Sequence, residues 1–180
     1  MQKKSTNDYY VPAEDTLFIS EYLQNEKGDF ALDIGTGSGF LAQELSKNFK
    51  FVVATDISFS ALKKAHETID NCICCNATDA INKTFDLIVC NLPYLPSNEL
   101  SDPTVDGLHE GVEIPSVIIK SASSRIRKNG KLVLLTSSHA NYQKLINITQ
   151  SQGFDVRITA KKKLFFEELI ILECIKTAGI

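Results

Sequence analysis

No apolar stretch in this chain of 180 residues is both long and uncharged enough to span a bilayer. No apolar segment follows the polar start Met1-Gln2-Lys3-Lys4-Ser5, so no secretory leader is expected and the reducing cytoplasm is the default compartment. The cysteines number five, an odd count, and Cys72, Cys74, Cys75 and Cys90 fall inside apolar strand-like runs, which favours buried free thiols over a disulfide framework. Cys72 and Cys75 form a C-x-x-C without a second pair, and neighbouring residues of one strand point to opposite faces, so no metal site is expected. Internal repeats, linkers and low-complexity segments are absent. Lys and Arg are missing from residues 95–112, which carry Glu99, Asp102, Asp106 and Glu110. An acidic surface there disfavours a nucleic-acid partner, whose phosphates require basic contacts. His109 is the sole histidine of that stretch and reads as a plain loop residue.

With 43% apolar and 23% charged residues, the composition is that of an ordinary globular protein, and the length fits one domain over 1–180, with 1–8 polar and loose. Asp15 or Thr16 stands where it could cap a helix over Leu17 to Leu23. Phe30-Ala31-Leu32-Asp33-Ile34 reads as a strand running into Gly35-Thr36-Gly37-Ser38-Gly39, with Leu41, Ala42, Leu45 and Phe49 at helical spacing behind it. Glycines at alternate positions let the chain turn sharply and leave its main chain bare to a ligand at a helix N-terminus. Phe40 stands where a dinucleotide fingerprint needs glycine, so the loop suits a cofactor without a pyrophosphate; the negative charge of Asp33 suits a cationic tail. A second strand, 51–55, ends at Asp56, at the distance where a ribose-binding carboxylate belongs. Ser58 can cap the next helix, a third strand lies near 73–75, and Asp79 in the following loop could accept from an adenine amine.

Residues 95–112 show no convincing periodicity, and a loop of that length inside a domain is usually functional or disordered. A helix starting near Pro115 is expected to stop at Lys128-Asn129-Gly130, followed by a strand over 131–136 and a helix over 141–152 ended by Gly153. Alternation from Phe154 to Lys161 then predicts an antiparallel strand, joined through a solvated Lys161-Lys162-Lys163 turn to a last strand over 165–175.

The run Phe85 to Cys90 reads as a buried central strand, and it delivers Asn91-Leu92-Pro93-Tyr94 at its end. An amide side chain, a stiff proline and an aromatic ring suit a planar nitrogen: acceptors for its N–H groups and a flat face to hold it. As an ordinary turn the same residues would need no further explanation.

Five strands alternating with helices and a closing antiparallel pair resemble an α/β, Rossmann-like class I S-adenosylmethionine-dependent methyltransferase with a seven-stranded, mostly parallel sheet. Asp33-Ile34-Gly35-Thr36-Gly37-Ser38-Gly39 is similar to the first motif of that superfamily, Asp56 with Ile57 to its ribose position, and Asp79 with Ala80 to its adenine position. Asn91-Leu92-Pro93-Tyr94 resembles the (Asn/Asp)-Pro-Pro-Tyr motif of enzymes that methylate amide or exocyclic amino nitrogen, with Leu92 departing from the usual proline. Tyr10-Val11-Pro12-Ala13-Glu14-Asp15-Thr16 resembles the opening motif of the archaeal and eukaryotic HemK-like glutamine methyltransferases. That family implies methylation of the Gly-Gly-Gln glutamine of class 1 translation termination factors, with S-adenosyl-L-homocysteine as product. It also implies a small zinc-binding activator protein as partner, docked on the sheet edge near Cys72-Ile73-Cys74-Cys75. Asn-Leu-Pro-Tyr occurs in rRNA adenine dimethyltransferases too, so an adenine methyltransferase, and beyond it a non-catalytic cofactor-binding scaffold, stand as alternatives.

Overall fold

The computed structural model describes residues 13–99, 101–102 and 104–177. Tyr10, with Val11 and Pro12 of its motif, and the polar start 1–8 lie outside these. Seven strands form one sheet: β1 (Gly28–Ile34), β2 (Phe49–Asp56), β3 (Cys72–Cys74), β4 (Phe85–Asn91), β7 (Ile126–Ser137), β8 (Phe154–Lys163) and β9 (Glu168–Lys176). Two short strands between β4 and β7, β5 (Leu95–Pro96) and β6 (Asp106–Leu108), pair separately. The order across the sheet is β3-β2-β1-β4-β7-β9-β8, with β9 antiparallel to both its neighbours and the remaining pairs parallel. This is the expected class I Rossmann-like architecture with its C-terminal hairpin.

Five helices flank the sheet: α1 (Glu14–Leu23), α2 (Phe40–Leu45), α3 (Phe59–Ala65), α4 (Glu113–Ser123) and α5 (Tyr142–Ser151). Both sheet faces are covered, so the central strands are mostly apolar. Their side chains alternate between two cores. Leu32, Ile34, Ile88, Leu132 and Leu134 pack with Ile119 of α4 and Leu145 of α5, while Ala31, Leu87, Val89, Val133 and Leu135 pack with Ile19 of α1 and Leu41 of α2. Asp33 and Asn91 continue the second set, so both polar side chains turn toward α1 and α2.

Three local expectations are corrected. The helix α4 ends at Ser123, and Asn129-Gly130 sits inside β7: Asn129 takes a left-handed φ of 62°, and the β4–β7 register jumps between Phe85/Ile126 and Leu87/Lys131. Those turn-forming residues make a bulge, not a helix stop. The lysine run is the end of β8, and the turn lies at residues 164–167, closed by the Leu164 N–H donating to the Glu167 carbonyl at 2.8 Å. Since β8 is an outer strand, lysines there discourage further strand pairing. The stretch 95–112 is folded, with β5, β6 and a 3-10 turn at His109–Gly111. Its acids serve this fold: Asp106 accepts from the N–H groups of Ser101 and Asp102, Asp102 accepts from Thr104, and Glu110 pairs with Lys144.

Candidate active site

The sheet order reverses between β1 and β4, and the carboxyl ends of strands at such a point leave a crevice. The glycine loop leaves β1 there and Asn91-Leu92-Pro93-Tyr94 leaves β4 beside it. Two adjoining clefts result. One is lined by Thr16, Gly35, Thr36, Gly37, Ser38, Phe40, Leu41 and Asn91. The other is lined by Asp15, Asn91, Leu92, Tyr94, Leu95, Thr104 and Val105. Asn91 borders both.

Asp33, 1% exposed, is buried behind Thr36, which lines the first cleft. Its Oδ2 accepts from the Thr36 hydroxyl at 2.6 Å and the Ala42 N–H at 3.1 Å, while its buried Oδ1 has no partner. Burial pushes the Asp33 carboxyl up from 3.8 to about 7; the two hydrogen bonds oppose the rise and the Asp56 charge adds to it. At the end of β2, Asp56 accepts from the Gly37 N–H at 2.9 Å and the Ser58 N–H at 2.8 Å, one on each oxygen. Gly35, at φ 69°, has nothing within 4 Å of where a Cβ would stand, so its main chain faces open space. Gly39 differs: a Cβ there would lie 2.9 Å from the Ala65 Cα, so this glycine lets α2 pack on α3. Ser58 caps α3 as expected, accepting from the Ala61 N–H. Ile57, Asp79 and Ala80 are exposed on loops beyond β2 and β3, and Glu14 is exposed at the start of α1. Of the thiols expected to be buried only Cys90 is; Cys74 is exposed and Cys72 and Cys75 are half-buried, because among the described residues β3 has a neighbour on one side only.

In the second cleft, the Asn91 Nδ2 donates to Asp15 Oδ2 at 3.0 Å, and the buried Asn91 Oδ1 has no partner. A carboxylate only accepts, so Asp15 fixes which way the amide is turned and leaves Oδ1 for an incoming donor. The residue capping α1 is therefore neither Asp15 nor Thr16: Ala13 holds the N-cap position without a side-chain bond. Leu92, 2% exposed, packs with the α4/α5 core, and its N–H donates to the Leu135 carbonyl at 3.1 Å, extending the β4–β7 ladder. A proline could make neither the bond nor the same contact. Burial and the Glu167 carboxylate beside it raise the Tyr94 hydroxyl pKa.

Several lining residues carried no signal in the sequence. Thr104 and Val105 come from the aperiodic stretch. Gly111 left a trace as a glycine: at φ 67° it lies so close to Tyr94 that a Cβ would stand 2.1 Å from the Tyr94 carbonyl oxygen. Among the described residues no three His, Cys, Asp or Glu are arranged to hold a metal ion, and no helix is long and apolar enough to cross a membrane.

Comparison with known proteins agrees with this geometry. A candidate protein N5-glutamine methyltransferase of Methanocaldococcus jannaschii is 30% identical over 178 residues, covering 92% of this chain and 90% of that one. The eRF1 methyltransferase catalytic subunit of Schizosaccharomyces pombe is 24% identical over 210 residues, covering 96% and 91%. Longer bacterial methyltransferases also match, but the chain spans only 24–41% of their length. Among solved structures, the E. cuniculi Mtq2–Trm112 complex, responsible for methylation of the eRF1 termination factor, superposes with a TM-score of 0.82 at 26% identity, covering 94% of this chain and 99% of that one. The profile of the methyltransferase small domain matches residues 14–165, and with that match and the archaeal relative the chain belongs to the methyltransferase small domain family.

Proposed function

We propose that this chain is a single-domain, S-adenosylmethionine-dependent N-methyltransferase acting on the side-chain amide of glutamine in the Gly-Gly-Gln motif of a class 1 translation termination factor. One observation carries the reading: Asn91 Oδ1, buried and without a partner, is aimed by the bond from its own amide to Asp15. The named activities of the archaeal and fission yeast relatives and of the E. cuniculi complex support the substrate class.

The first cleft fits the cofactor. Asp33 Oδ1 is an acceptor in want of a donor, which a cationic amino group would supply, and Thr16 and the Asp33-bonded Thr36 line the cleft. Gly35 presents bare main chain to open space, and the Asp56 carboxylate keeps lone pairs for ribose hydroxyls beyond its two N–H bonds. Ile57, Asp79 and Ala80 are open for an adenine ring. When bound, S-adenosylmethionine supplies an electron-poor methyl group and departs as S-adenosyl-L-homocysteine.

The chain's own residues prepare the nucleophile. An amide nitrogen is unreactive because its lone pair is delocalised into the carbonyl. Asn91 Oδ1 and the Leu92 carbonyl accept its two hydrogens, concentrating density on nitrogen and aiming it, while the Tyr94 ring lies against the amide plane. Positioning and electrostatics suffice, and one oriented acceptor of this kind contributes about 10²–10³ in rate. The surplus proton passes to water after transfer.

A small zinc-binding activator is the partner this reading assigns. Among the described residues no strand lies beside the outer edge of β3, and Ile57 and Phe59 next to it are 67% and 65% exposed. The E. cuniculi relative is likewise a two-chain complex. A translation factor as substrate places the reaction in the cytoplasm. Labelled cofactor offered with a termination factor or with rRNA, with and without the activator, tests the proposal. Label is expected on the factor's Gly-Gly-Gln glutamine; label on RNA alone would establish the adenine alternative instead.

A further inference from the structure

The β8–β9 turn carries two phenyl rings that the fold leaves bare. Phe165 and Phe166 are 91% and 83% exposed, and their rings meet edge to face with centroids 4.6 Å apart. Single apolar residues on a surface are ordinary, but two adjoining rings at the tip of a closed turn have no role in packing. The turn is also firmly placed. Beyond its own Leu164–Glu167 bond, the Ser138 N–H donates to the Glu168 carbonyl at 2.9 Å, and the Glu168 N–H to the Ser138 hydroxyl at 3.0 Å. Ser138 follows the end of β7, whose Leu135 lies level with Asn91 of β4, so the rings rise on the same end of the sheet as the substrate cleft. Glu167 of the same turn adds its negative charge to the burial that raises the Tyr94 hydroxyl pKa, so the turn runs near a residue that lines the substrate cleft.

We propose that Phe165 and Phe166 form the docking surface for the protein that presents the target amide. The inference rests on the glutamine reading and extends it to how the substrate is recognised. A protein fits better than a nucleic acid. The rings stand at 77° to each other, so they make no common platform for stacked bases. Rigid aromatic side chains on an ordered turn lose little freedom on binding, as an anchor for a folded partner should.

The test is the double variant Phe165→Ser/Phe166→Ser, compared with wild type in the presence of activator. The KM for the intact termination factor, and its dissociation constant by titration, should rise at least about tenfold, as expected for loss of central aromatic anchors. Turnover at saturating factor, thermal midpoint and cofactor affinity should stay within about twofold. Unchanged factor affinity overturns the docking role, and so does a fall in thermal midpoint that accounts for the loss. Altered sedimentation or loss of the activator would mean that the rings cover a second copy or the activator, which also overturns it. If wild type labels no factor, the glutamine reading itself falls and takes this inference with it; labelling by wild type with an undiminished variant refutes the docking surface alone.

Discussion

Replacing Asp33 with asparagine separates what the fold needs from what the reaction needs. Asp33 lies in the interior with one oxygen bonded to Thr36 and Ala42 and the other bare. Desolvation raises its carboxyl from 3.8 to about 7, so the folded chain holds this proton more tightly than the unfolded one. Below about pH 4 both states are protonated and the favourable contribution is complete. As pH rises toward 7 the unfolded chain releases its proton first, and stability falls until the folded group ionises too. At ~1.4 kcal/mol for each tenfold difference in proton affinity, the loss amounts to at most about 4 kcal/mol above pH 7. Asp33→Asn keeps the shape and the acceptor for Thr36 and Ala42 but carries no charge. Urea unfolding between pH 4 and 9 should show wild type weakening across the window from 4 to 7 and Asp33→Asn lacking that decline, matching wild type near pH 4 and exceeding it by a few kcal/mol at pH 8. Cofactor affinity should move the other way. It should strengthen in wild type as Asp33 ionises toward a cationic tail, and be weaker and flat in the variant. Parallel stability curves for the two proteins would refute the buried-charge reasoning.

Restoring the usual motif by Leu92→Pro should weaken the protein: it removes the N–H that serves the Leu135 carbonyl, at about 1–3 kcal/mol for a buried acceptor left unpaired, and withdraws a core side chain. Denaturant unfolding checks this, and unchanged or higher stability would contradict it. Asp15→Ala frees the Asn91 amide to turn, so kcat on the termination factor should fall about tenfold to hundredfold with the thermal midpoint little altered, and Asp15→Asn should recover part of it. Gly111→Ala sets a Cβ against the Tyr94 carbonyl at a left-handed position and should lower both stability and turnover; thermal melts and single-turnover assays on the same sample read the two losses together.

Much of this architecture was legible because the residues that build it act locally. The mostly apolar runs of β1, β4 and β7 announced strands buried on both faces, and Asp33 through Gly39 announced the turn into α2. Ser58 and Gly153 marked helix ends through their own backbone chemistry. What failed to show depends on contacts between distant segments. Asn129-Gly130 looks the same whether it ends a helix or bulges a strand, and only the pairing of β7 with β4 decides. The lysines of β8 read as solvated in either place, because an outer strand is as wet as a turn. In the site, Asn91 and Asp15 were each visible, but their bond spans 76 positions and no local pattern encodes it. Thr104 and Val105 reach the cleft through a loop whose course is set by the rest of the fold. Leu92 looked like a blemish in a motif; its meaning came from the Leu135 carbonyl across the ladder.

The account turns on one oxygen, Asn91 Oδ1, and on its serving the substrate and not the cofactor. The most direct measurement pairs single-turnover methylation of the termination factor with cofactor titration for Asn91→Ala. Transfer should drop by about 10²–10³ or more while the cofactor dissociation constant stays within about threefold of wild type. Equal losses in both, or transfer that survives, would contradict it.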